Sequence, residues 1–169
     1  LMPGMVEGHC HPSFVGISTN AELGRVPPEK HTLLTATNVK LLLEHGALPD
    51  LPNNLGITPL MAAAGVGSTT IDIRGRFRNE QQGIETAKLL LAAGADVNAK
   101  RDNGQTAMHG AAQWGWTGFA RAMAAAGANL DVKDRAGATP LDLAMGKTGT
   151  TGRAGVAGAE PHPETAAAL

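Results

Sequence analysis

The stretch GQTAMHGAAQWG, Gly104 to Gly115, is one of three copies of a single pattern in this chain. GITPLMAAAG, Gly56 to Gly65, and GATPLDLAMG, Gly137 to Gly146, share its opening: Gly, a variable residue, Thr, then Pro or Ala, then Leu or Met. The anchors Thr58, Thr106 and Thr139 lie 48 and 33 residues apart, and the Gly-Ala pairs at Gly46, Gly94 and Gly127 show the same two spacings. Two independent anchors with one spacing establish a repeat. The first interval is longer by 15 residues, which marks a loop inserted into one copy.

Each anchor has a physical task. The threonines stand where an N-cap hydroxyl accepts a free backbone N–H, and Pro59 and Pro140 follow at a position that loses no hydrogen bond. Ala107 takes that place in the middle copy and weakens the helix start slightly. Gly46, Gly94 and Gly127 end apolar runs where a left-handed cap is needed, and Gly56, Gly104 and Gly137 suit the turn before each Thr. Asn53-Asn54, Asp102-Asn103 and Asp134 supply polar turn chemistry beside them.

The 33-residue period, with VKLLLEHGALPD (39–50), AKLLLAAGADVNAK (87–100) and ARAMAAAGANLDVK (120–133), resembles the ankyrin repeat from about Val39 to Met145. The resemblance implies an all-α fold, a short solenoid of helix-turn-helix units with hairpin loops, in which each unit buries its faces against its neighbours. It implies a protein-protein interaction module that binds an unidentified protein, without catalysis of its own and without a cofactor. His109 stands at the family's Thr-Pro-Leu-His position, where the ring bonds to the Thr hydroxyl and nearby backbone. Met61 and Asp142 take that position in the other copies, so this polar network is expected once.

Composition agrees with small side chains in closely packed helices: 43% apolar residues, only 3% aromatic, no Tyr and 22 Gly. A formal charge of -1 provides no field to recruit nucleic acid or an anionic membrane, so neither is an expected partner. Apolar runs such as AKLLLAAGA fall far short of the roughly 20 residues that span a bilayer. One cysteine forms no internal disulfide and leans toward a reducing, cytoplasmic compartment.

The repeats are interrupted in two places. The first insertion falls within VGSTTIDIRGRFRNEQQG, residues 66–83, where Arg74, Arg76 and Arg78 alternate around Phe77 and share one side if the backbone is extended. Guanidinium groups so placed suit carboxylate or phosphate, and they equally suit a solvated loop paired with Asp72, Glu80 or Glu85. QWGWTGF, residues 113–119, puts Trp114 at a position that ankyrin repeats usually leave polar and exposed, and Trp116 in the inter-helix turn. Exposed tryptophan is a typical interface anchor, but these rings could also shield the insertion's Ile71 and Ile73. Arg74, Arg76, Phe77, Arg78, Trp114 and Trp116 form the candidate partner-binding set. A second interruption, the glycine-rich loop at 146–158, precedes a helix start at Glu160 to Thr165. Its GKTGTTG run is no phosphate loop, because Leu141 stands where the first glycine of that motif belongs.

PGMVEGHCHPSF, Pro3 to Phe14, resembles the end of the first strand in the amidohydrolase superfamily. In an extended strand His9 and His11 face one side and could share a metal ion. A complete barrel takes about 250 residues and this chain has 169. The remaining His31, His45, His109 and His162 do not complete that family's ligand set. Residues 1–26 are therefore expected to be an irregular remnant, joined to a repeat array at 27–169 through the string VKLLLEHGA. The alternative is a fragment of a metal-dependent amidohydrolase whose other ligands lie outside this chain.

Overall fold

The structure, a computed structural model, describes residues 39–66, 80–147 and 161–169. The expected irregular segment with His9 and His11, the insertion's Arg74, Arg76, Phe77 and Arg78, and most of the glycine-rich loop lie outside the described residues. Among the described residues every regular element is a helix. They are α1 (39–44), α2 (Pro59–Ala63), α3 (Glu80–Ala92), α4 (Ala107–Trp114), α5 (Thr117–Ala125), α6 (Pro140–Ala144) and α7 (Pro163–Ala166).

The threonines begin the helices as expected. Thr58 Oγ1 accepts from Met61 N–H at 3.3 Å to start α2, and Thr139 Oγ1 accepts from Asp142 N–H at 3.2 Å to start α6. The closing glycines end α1, α3 and α5 with φ of 85, 91 and 88° at Gly46, Gly94 and Gly127. The next amide reaches back over each end: Ala47 to Leu42, Ala95 to Leu90 and Ala128 to Met123, at 3.0, 2.9 and 3.0 Å.

Packing follows the repeat. The first helices α2, α4 and α6 stack in one layer, α3, α5 and α7 stack in a second, and each first helix pairs with the second helix of its own unit. Leu60, Met108, Leu90, Phe119 and Met123 are buried at the centre. Val39 joins that core and Leu43 packs against it, so the string VKLLLEHGA serves the stack. At the far end Leu141, the counterpart of Leu60 and Met108, is 44% exposed where those two are at 1%.

Two helical glycines permit close approach, Gly110 within the layer of first helices and Gly83 between the layers. A Cβ on Gly110 would stand 2.6 Å from the Ala64 carbonyl oxygen, and one on Gly83 would stand 2.7 Å from the Ala63 oxygen. Gly83 was expected in the insertion, yet Glu80 to Gly83 form the first turn of α3. A second correction concerns the polar network at the helix starts. It occurs twice, because Asp142 Oδ2 accepts from both the amide and the hydroxyl of Thr139, at 3.0 Å each. A carboxylate three residues past the cap reaches the same donors as an imidazole.

Candidate interaction surface

The candidate site lies along one edge of the stack, at the turn from first helix to second. In the middle repeat the closing glycine, Gly115, comes nine residues after Thr106, and the chain turns at once into α5 with Trp116 at its N-cap. In the flanking repeats Gly65 and Gly146 come seven residues after Thr58 and Thr139, and α2 and α6 are correspondingly short. All three glycines hold a left-handed backbone, φ 84, 68 and 81° in chain order. The early glycine follows a first helix of only five residues in each of the two outer repeats.

Both tryptophans stand in the middle repeat, at the end of α4 and the start of α5. Trp114 Nε1–H donates to the Gly65 carbonyl at 3.0 Å, and a Cβ on Gly65 would lie 2.6 Å from that nitrogen. The ring therefore covers bare backbone, and Trp114 is half-buried rather than exposed. Trp116, also half-buried, lies 6.3 Å from Trp114 and 6.1 Å from Phe119 between ring centroids, and a Cβ on Gly83 would meet it at 3.2 Å. The two rings thus rest on Gly65 and Gly83, which bracket the arginine-bearing insertion. The structure brings Trp114 and Trp116 together at its root.

The neighbouring carboxylates are already engaged. Glu80 Oε1 accepts from Phe119 N–H at 2.9 Å, which serves the free amides at the start of α5. Glu85 Oε1 accepts from Gln81 Nε2 and Lys88 Nζ, each at 3.0 Å. Sequence reasoning missed the Glu80 cap because its donor lies 39 residues away. It also missed His162, whose ring sits on Gly115 while Nε2 bonds to the Gln113 carbonyl at 3.2 Å.

No group of three or more His, Cys, Asp or Glu suited to a metal ion occurs among the described residues. The three histidines there each bond to a backbone carbonyl: His45 to Leu41 at 2.8 Å, His109 to Ala138 at 3.2 Å, and His162 as above. No helix among the described residues is long and apolar enough to cross a membrane.

Known proteins match the same region. A family model for ankyrin repeats in three copies matches residues 79–151, and a single ankyrin-repeat model matches 55–102. Cyclin-dependent kinase inhibitor 2A of Homo sapiens is 34% identical over 134 residues, covering 79% of this chain and 69% of that protein. Inversin of Gallus gallus is 31% identical over 138 residues, and the Neurogenic locus Notch protein of Drosophila melanogaster is 38% identical over 91. Those alignments cover 82% and 53% of this chain, which spans only 11% and 3% of the two proteins.

Proposed function

The chain belongs to the ankyrin-repeat family, and from that premise we propose that it works by binding another protein along the helix-turn edge of its stack. One relative is by name an inhibitor of a kinase, itself a protein. The observation that carries the placement is the Trp114–Trp116 pair resting on the two glycines that bracket the insertion. Large planar rings held by packing offer contact area at little cost in side-chain entropy, and arginine adds paired hydrogen bonds to carboxylate or phosphate. Trp114, Trp116, Arg74, Arg76, Phe77 and Arg78 form the partner-binding surface in this reading, with no cofactor.

The hydrolase alternative rests on Met2 to Phe14, with a weaker continuation through Pro27 to Gly46, and on His9 and His11 as two ligands of an incomplete set. Nothing among the described residues favours it, and the string shared by both parents takes part in the stack.

Panning a displayed peptide library on the full chain tests the placement. Retained peptides should lose about tenfold or more in affinity for the Arg74→Glu, Arg76→Glu, Arg78→Glu triple variant, with its melting temperature unchanged. Trp116→Ala should weaken the same peptides. Peptides that bind all three proteins equally well would place recognition elsewhere on the stack.

A further inference from the structure

The three repeats differ at one position with chemical consequences, the residue three past each capping threonine: Met61, His109 and Asp142. His109 is buried, and both ring nitrogens are committed. Nδ1 accepts from Thr106 N–H at 3.2 Å and pairs with Thr106 Oγ1 at 3.1 Å, which leaves Nε2 to donate across the repeat boundary to Ala138 O at 3.2 Å. Ala138 is itself tied down, since its amide donates to Asp134 Oδ1 at 3.0 Å. One imidazole therefore both caps α4 and fastens the hairpin that leads into α6.

We propose that this junction between the middle repeat and the next is an acid-sensitive joint, opened by a proton on His109 Nδ1. The proton turns an acceptor into a donor aimed at another donor. The Thr106 hydroxyl can rotate to accept from it, but the Thr106 amide cannot, and a buried N–H is left without a partner. The groups acting on His109 come from both adjoining hairpins. The Asp134 carboxylate and the Ala138 and Val132 carbonyls favour the proton, and the Lys100 ammonium opposes it. Burial outweighs them and holds His109 below its ordinary 6.5.

Above pH 6.5 the ring is neutral whether the chain is folded or not, so the junction keeps its full stability. As pH falls below that value the unfolded chain takes up a proton that the folded one refuses, and stability drains away until the depressed folded value is reached. The next repeat behaves differently. The Lys147 ammonium, then the Thr139 amide and hydroxyl, hold the Asp142 carboxyl at about 2 against an ordinary 3.8, so its cap persists until pH falls between those values. Met61 does not titrate, so of these three positions only the middle one responds near neutrality.

Amide exchange of the full chain, read residue by residue by NMR and divided by the intrinsic rate at each pH, tests this. Between pH 7.5 and 5, protection at Thr106 should fall severalfold relative to Thr139. Over the same range the ring nitrogen shifts of folded wild-type His109 should remain those of a neutral ring protonated at Nε2, because the proton is taken up only where the junction has opened. In His109→Asp, which transplants the Asp142 cap, the protection ratio should no longer change. A constant ratio in the wild-type chain, a loss shared equally by all amides, or the same pH dependence in His109→Asp would overturn the proposal.

Discussion

Gly110→Val is expected to destabilise the chain by about 3 kcal/mol or more, seen as a lower urea midpoint with little change in slope. In an open helix, replacing glycine normally helps, because glycine carries the largest backbone entropy cost. Here the new Cβ would stand 2.6 Å from the Ala64 oxygen and 2.7 Å from Val66 Cγ2. The oxygen belongs to the backbone that closes α2, so relief requires α2 and α4 to separate. That separation would uncover Leu60 and Met108, both 1% exposed. A variant as stable as the parent would mean that the two first helices do not meet in this way.

Phe119→Ala should cost about 3–5 kcal/mol, the range for deleting a buried ring. Phe119 is fully buried in α5, against Trp116 on one side and Gly83 of α3 on the other, so its loss opens a void between second helices. Typical domain stabilities are about 5–15 kcal/mol, so a large fraction of the total is at stake. Near-ultraviolet circular dichroism should change as well, because Trp116 loses one of its two ring neighbours. A full-strength tryptophan signal and an unmoved urea midpoint would show that the ring does not organise this layer.

The architecture was legible because each signal is local. A threonine starts a helix and a glycine ends one through bonds that span a few residues, and the 48- and 33-residue spacings repeat those signals in register. The pairing of layers then follows, since a unit of this kind buries its faces only against another. Contacts across the stack were not legible. Gly83 read as part of the insertion and Gly110 carried no signal in one dimension, and their close approaches to the Ala63 and Ala64 carbonyls give them their role. Trp114 read as exposed by register and is half-buried because Gly65 offers no side chain to keep it away. The second polar cap was within reach of the sequence: Thr139 and Asp142 have capping-box spacing, and attention to histidine alone hid it.

The candidate site was partly legible. The tryptophans and the arginine-bearing insertion stood out as departures from the repeat, whereas the seating of the rings on Gly65 and Gly83 needed the fold. The seven- and nine-residue intervals from Thr to the closing Gly can be counted in the sequence. Their effect, two short first helices on either side of α4, depends on how the units stack.

That the chain acts through the surface of its repeats, and not through a metal centre, is tested most directly by titrating the full chain with zinc. Melting temperature and the hydrolysis of simple amides and esters are followed together. The account predicts no change in melting temperature, hydrolysis at the buffer rate, and the same result for the His9→Ala, His11→Ala double variant, since two ligands do not close a catalytic zinc shell. A rise in melting temperature at stoichiometric zinc, accompanied by hydrolysis and lost in the double variant, would contradict it.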